Sequence, residues 1–166
     1  QPTKEGEREI IKFVIKAIHG SKKVADLFCG SGTLSIPISQ SSEMFCADTN
    51  QSSLSGLKEA LKLQKSLNKN KIINQDLLSL PISHETLKDM DAIVLNPPSK
   101  GAKKQLKEVI LSNVPNIVYV SCNLNTFARD AKFLLENGYS LEWLKPIDQF
   151  PNTMHLEIVS KFIEKK

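Results

Sequence analysis

No apolar run in this sequence approaches the roughly 18 residues that a membrane-spanning helix needs, so no membrane partner is expected. The N-terminus, Gln1-Pro2-Thr3-Lys4-Glu5-Gly6-Glu7, is charged and lacks the apolar stretch of a secretory signal. Cysteine is scarce: Cys29, Cys46 and Cys122 are an odd number with no metal-ligand spacing. That pattern excludes a disulfide scaffold, offers no metal site and points to free thiols in a reducing, cytoplasmic compartment. Arginine is nearly absent, with only Arg8 and Arg129 among 22 basic residues. The basic side chains are therefore mostly lysine point charges, without the planar fork that reads base edges. No internal repeat, low-complexity run or linker breaks the chain.

What is present is the composition of a soluble globular domain. The 166 residues are 40% hydrophobic and 24% charged. They fit a single domain spanning 1–166 and exclude a disordered tail or a collagen-like fibre. The net charge of +4 is compatible with nucleic acid, and equally with a lysine-rich composition that implies no partner.

The order of elements is informative. Apolar residues at helical spacing predict a helix over 5–19. Short apolar strands are predicted at 23–28, 43–48, 71–76, 91–95 and 116–121. Helices are predicted between them at 33–40, 51–67 and 102–112, and after them at 124–137. Two late strands, 139–145 and 154–163, read as a hairpin. Strands alternating with helices predict right-handed crossovers and a mostly parallel sheet, and strands without polar alternation predict burial on both faces. The fold expected is a doubly wound, Rossmann-like α/β domain, its sheet closed by an antiparallel hairpin. Ligands belong at the carboxyl ends of its strands.

The first strand-to-helix turn is Asp26-Leu27-Phe28-Cys29-Gly30-Ser31-Gly32. Glycines such as Gly30 let the backbone approach a ligand and take positive φ. The third glycine of the dinucleotide fingerprint is missing, since Ser35 stands there, and no Walker lysine follows. Asp48 at the end of the second strand is placed to accept from ribose hydroxyls, and Asp76 after the third lies near an adenine edge. The same acids also suit helix caps or turns.

Other residues suit covalent chemistry. Asn96-Pro97-Pro98-Ser99-Lys100-Gly101 follows the fourth strand, and its prolines stiffen the display of Asn96. Cys122 stands at the exit of the fifth strand, ahead of a helix whose N-terminal amides are expected to lower its pKa. Cys29 and Cys46 lie in or beside apolar strands and read as packing. Alternation puts His155 and Glu157 on one side of the last strand, and Glu157 is a candidate base or an edge-strand carboxylate.

These segments, together with Ala128-Arg129-Asp130 and Phe150-Pro151-Asn152-Thr153-Met154-His155-Leu156-Glu157, occur in an order and spacing that resemble the catalytic domain of the RNA uracil-C5 (5-methyluridine) methyltransferases. The resemblance covers essentially the whole chain. It implies a seven-stranded fold of the S-adenosylmethionine-dependent methyltransferases, acting as a monomer on transfer or ribosomal RNA. It implies cofactor contacts from Gln1, Phe28, Thr33, Asp48, Asp76 and Asn96, with Gly30 in the same turn. Cys122 matches the nucleophile and Glu157 the base that removes the C5 proton. Lys100, Lys103, Lys104 and Lys107 would either contact phosphates or form a solvated helix face. The family usually has Asp where Asn96 stands and Arg where Ser99 stands. Its members carry N-terminal RNA-binding portions, so a chain beginning at Gln1 reads as an excised domain.

Two alternatives compete. Asn96-Pro97-Pro98 resembles the loop of adenine-N6 amino-methyltransferases, but Ser99 replaces their stacking aromatic, and such enzymes have no use for Cys122 or Glu157. A non-catalytic RNA- or cofactor-binding homologue is permitted by Asn96 and Ser99 and opposed by the presence of Cys122 with Glu157.

Overall fold

A computed structural model describes residues 3–64, 69–148 and 156–166. Helix α1 (Lys4–Ala17) is capped by Thr3, whose Oγ1 accepts from the Gly6 N–H at 3.0 Å. Glu5 and Glu7 in its first turn and Lys16 in its last complement the helix dipole. Then follow β1 (Lys23–Leu27), α2 (Ser35–Ile38), β2 (Glu43–Asp48), α3 (Gln51–Leu63), β3 (Asn70–Asn74) and α4 (His84–Leu87). The chain continues through β4 (Ala92–Leu95), α5 (Lys103–Leu111), β5 (Asn116–Ser121), α6 (Leu124–Glu136), β6 (Tyr139–Ile147) and β7 (Glu157–Glu164).

The seven strands form one sheet in the order β3-β2-β1-β4-β5-β7-β6. The first five pair in parallel, and β7 runs antiparallel between β5 and β6. Period-2 alternation divides the apolar strand residues between two cores. Ala25, Leu27, Ile117 and Tyr119 join Leu106, Val109, Phe127 and Leu134 of α5 and α6 on one side. Val24, Val118 and Val120 join Ile10, Val14, Leu54 and Leu57 of α1 and α3 on the other. The doubly wound architecture read from the sequence is the observed one.

Local details differ. The helix predicted over 33–40 is confined to Ser35–Ile38. Beyond it, the Gln40 and Ser41 amides tighten onto the carbonyls of Pro37 and Ile38, three residues back. Helix α3 carries regular structure to Leu63 of the predicted 51–67, and 65–68 lie outside the described residues. The short α4 went unpredicted because side chains from α5 fasten it. Glu108 accepts from the His84 N–H at 2.7 Å, and Gln105 both accepts from the Ile82 N–H (2.8 Å) and donates to its carbonyl (2.9 Å). Strand β6 runs two residues further than predicted, held by pairing with β7 up to Ile147↔Glu157.

Asp26 lies wholly buried in β1, beneath the turn that carries the glycines. Its Oδ2 accepts from Ser35 Oγ at 2.5 Å, and its Oδ1 has no hydrogen-bond partner. Desolvation by burial pushes its pKa from 3.8 up to about 7. A pKa raised by folding favours the protonated native state, so this contribution is complete at low pH and is lost as pH rises through about 7. Between pH 5 and 8 the loss amounts to on the order of 3 kcal/mol. Urea unfolding across that range should therefore show a falling stability that Asp26→Asn abolishes. The same slope in both proteins would mean that another group titrates.

Candidate active site

Every sequence-predicted site residue that the structure describes lies at the carboxyl edge of the parallel strands or in the turns leaving it. At the end of β1 the backbone turns abruptly: Phe28 has φ 65° and Gly30 φ 53°. A bulky residue at positive φ is strained by about 1–3 kcal/mol. The Phe28 and Cys29 amides both donate to the Ala47 carbonyl, at 2.9 and 3.2 Å, and hold the turn against that strain. A Cβ added at Gly30 would meet nothing within 4 Å, so this position opens onto free space. At Gly32, with φ 91°, a Cβ would collide with the Leu57 side chain, so this glycine serves packing against α3.

Asp48 receives the Gly30 N–H on Oδ2 and the Asn50 N–H on Oδ1, both at 2.9 Å. It thus fixes the glycine turn as well as facing the cleft. Asp76 is exposed, two residues beyond the end of β3. Its carboxylate accepts from Ser79 Oγ (2.6 Å) and the Leu78 N–H (3.0 Å), and these bonds hold its pKa below the usual range. Both acids therefore order a turn and also border a cavity. Phe28, Asp48, Asp76 and Asn96 together line a cavity of about 260 Å3, completed by Thr49, Gln75, Leu77, Leu78 and Pro98. Thr33 is exposed in the turn before α2 and does not line it. Gln1 and 149–155, including His155, lie outside the described residues.

The second half of the site comes from strand register. Ser121 of β5 pairs with Ile158 of β7 in an antiparallel ladder. Cys122 follows directly after that last pair and Glu157 directly precedes it, so both lie at this end of the ladder, near enough for the Glu157 charge to act on the Cys122 thiol. Cys122 is exposed, whereas Cys29 and Cys46 are buried. The lowered thiol pKa expected from the start of α6 is not found: burial and the Glu157 carboxylate push the Cys122 thiol up. The helix amides are already occupied, because Asn123 Oδ1 accepts from the Asn125 and Thr126 N–H groups at 2.9 and 3.2 Å. Glu157 is half-buried, and that burial raises its own pKa. A thiol and a carboxyl of raised pKa thus lie at the same edge of the sheet as the cavity that Phe28, Asp48, Asp76 and Asn96 line. That set can add a nucleophile to a planar electrophile and remove a proton from it.

The family model described as tRNA (uracil-5-)-methyltransferase matches residues 1–166. The chain belongs to that family. It is 38% identical over 163 residues to an uncharacterised RNA methyltransferase of Zymomonas mobilis, covering 98% of this chain and 40% of that protein. It is 36% identical over 160 residues to another of Agrobacterium fabrum, covering 96% and 38%. The chain thus spans about two fifths of the length of these relatives. Among solved structures it resembles the Pyrococcus abyssi tRNA (uracil-54, C5)-methyltransferase in complex with S-adenosyl-L-homocysteine. That match has a TM-score of 0.80 at 24% identity and covers 95% of this chain and 38% of that one. Magnesium protoporphyrin IX methyltransferase from Synechocystis with bound SAM matches at TM-score 0.72 and 16% identity, over 97% and 79%. Both likenesses are of fold, the Rossmann-like fold of S-adenosylmethionine-dependent methyltransferases.

Several features of this uracil-5-methyltransferase family chain have no sequence signal. Leu77 and Gln75 enter the cavity only through the turn that Asp76 builds, and positive φ at Phe28 is invisible in a residue type that rarely adopts it. Lys103, Lys104 and Lys107 are exposed along α5, and the Lys104 charge helps lower the Asp76 pKa. Among the described residues no helix is long and apolar enough to cross a membrane, and no group of three potential ligands could hold a metal.

The thiol–carboxyl pairing has a measurable sign. A negative Glu157 disfavours the thiolate, so Glu157→Gln should lower the Cys122 pKa. Iodoacetamide labelling of Cys122, read by peptide mass spectrometry, should begin at lower pH in the variant. Superimposable profiles would show that the carboxylate does not face the thiol.

Proposed function

We propose that this chain is the methyltransferase domain of an enzyme that methylates C5 of a uridine in transfer or ribosomal RNA, through a covalent bond between Cys122 and C6. What supports the reading is the β5–β7 register, which ends at Ser121↔Ile158 with Cys122 and Glu157 as the next residues, and the Glu157 charge that acts on the Cys122 thiol. Bound in that cavity, S-adenosylmethionine supplies an electrophilic methyl group. The lining fits it: Asp48 and Asp76 offer acceptors to hydroxyl and amino groups and Phe28 offers an aromatic face, while Gly30 in the turn after Phe28 leaves open space. Asn96 offers hydrogen bonds without the negative charge of the aspartate usual there. Gln1, whose contact rests on the resemblance, lies outside the described residues.

The chemistry follows from what uracil lacks. C5 is a weak nucleophile until a thiolate adds to C6 and makes the ring enolate-like. Cys122 forms the S–C6 bond, and C5 then carries the electron density that takes up the methyl group. Glu157 removes the remaining C5 proton, and the returning electron pair expels the Cys122 thiolate and restores the ring. The target base must leave its stack to reach this edge. The exposed lysines of α5 supply the phosphate contacts, and the enzyme works as a monomer in the cytoplasm.

Fluorine at C5 cannot leave as a proton does, so RNA containing 5-fluorouridine should trap the reaction. With S-adenosylmethionine and such RNA, the full-length protein should form an adduct that survives denaturation and is absent in Cys122→Ala. Sequencing the trapped RNA would name the uridine. Cofactor binding without any adduct would sink the covalent reading and favour a non-catalytic homologue. Methyl transfer that persists in Cys122→Ala would point to an amino-methyltransferase.

A further inference from the structure

The loop that presents Asn96 is fastened to one face of α6. Thr126, Arg129 and Asp130 are spaced i, i+3, i+4 and so share that face. Thr126 Oγ1 donates to the Ser99 carbonyl (3.0 Å), and Arg129 Nη2 donates to the Lys100 carbonyl (3.1 Å). The Ala102 N–H donates to Asp130 Oδ2 (2.7 Å). Gly101 lies pressed between them at φ 78°. A Cβ there would stand 2.5 Å from Arg129 Nη2 and 2.6 Å from Asp130 Oδ2, so only glycine allows the approach.

Asp130 is the centre of this arrangement. It is 1% exposed, yet its carboxylate is fully partnered. Oδ2 also accepts from the Tyr119 hydroxyl at 2.6 Å, and Oδ1 accepts from Arg129 Nε (2.9 Å) and forms an ion pair with Nη2 (2.7 Å). Burial and the Asp130 carboxylate push the Tyr119 phenol up, which keeps it a donor. Tyr119 stands in β5, three residues before Cys122, and α6 starts two residues after it. One buried carboxylate therefore joins the Asn96 loop, the strand that leads to Cys122 and the helix that follows.

We infer that Asp130 is a positioning residue, which fixes the separation between the Asn96 side of the cavity and the Cys122 thiol. It touches neither base nor cofactor and acts through the loop. The inference rests on the proposed reaction for its rate effect, but not for its effect on the cavity, which Asn96 and Pro98 line.

The test compares Asp130→Ala, Asp130→Asn, Gly101→Ala and the Asp130→Ala/Gly101→Ala double variant in the full-length protein. Rates are normalised to folded protein, and S-adenosylmethionine affinity is measured separately by calorimetry. Displacing the loop should lower kcat between about 10- and 100-fold while the KM for RNA changes little. Affinity for S-adenosylmethionine should weaken in parallel. Gly101→Ala reaches the same loop from its other side and keeps the test alive if Asp130→Ala does not fold. Two routes to one displacement give a double variant no slower than the worse single one, whereas independent effects multiply. Asp130→Asn, which keeps an acceptor for the Ala102 N–H, should recover part of the rate. Unchanged kcat and affinity in folded Asp130→Ala and Gly101→Ala, or losses that multiply, would overturn the inference. A wild type that binds S-adenosylmethionine yet methylates no RNA would overturn the proposed function instead, and the affinities alone would then decide the role of Asp130.

Discussion

The antiparallel entry of β7 between β5 and β6 is the constraint on which the site depends. In a purely parallel sheet, every strand would begin at the edge opposite the ligands. Because β7 runs the other way, its first residue, Glu157, arrives at the edge where β5 ends. The register then decides which residues meet. Tyr119↔Ser160 and Ser121↔Ile158 belong to one ladder, and Cys122 and Glu157 are the residues next to its last rung. A one-residue slip would send β7 side chains to the opposite face, so the apolar residues that fix the register also fix the chemistry. Phe162 and Val159 are fully buried in opposite cores and make such a slip costly.

The other half of the site rests on residues with two tasks. Asp48 closes the glycine turn by accepting from Gly30 and still borders the cavity. Asp76 orders its own turn and borders it too. Such acids need no rearrangement to present acceptors, because the backbone bonds that orient them already exist. Strain at Phe28 and the partnerless Oδ1 of Asp26 sit at this same turn. Both cost stability, and both concentrate where the chain must bend sharply to leave space for a ligand.

Architecture was legible because parallel strands are apolar on both faces, and Val118-Tyr119-Val120 or Ala92-Ile93-Val94-Leu95 cannot easily be read otherwise. The glycine turn and the acids at strand exits were legible because topology alone puts them at one edge. What escaped was tertiary. Helix α4 has four residues and no period of its own, and from α5 Glu108 fastens its first residue and Gln105 the backbone just before it. The direction of the Cys122 pKa escaped as well, because a helix start lowers a thiol pKa only through free amides. Asn123 caps them, and the dominant influences, burial and Glu157, come from the fold rather than from the neighbouring sequence. Asp130 was visible only as part of a motif. Beside its neighbour Arg129, its partners Tyr119 and Ala102 lie 11 and 28 residues away along the chain, beyond any local pattern.

A raised thiol pKa at first sight opposes a nucleophilic Cys122, yet the coupling suits the order of events in the proposed reaction. Before the base binds, a thiolate and an ionised Glu157 would repel each other at short range in a partly desolvated site. Addition of sulfur to C6 turns the thiolate into a neutral thioether. The repulsion then disappears, and an ionised Glu157 becomes easier to hold just when a base is required. Burial keeps that carboxylate more basic than one in water, which favours removal of the C5 proton. When the proton has moved to Glu157, the carboxyl is neutral and the departing thiolate no longer meets a like charge. The same carboxylate that suppresses the free thiolate therefore assists its release, and one neighbouring charge serves both ends of the cycle.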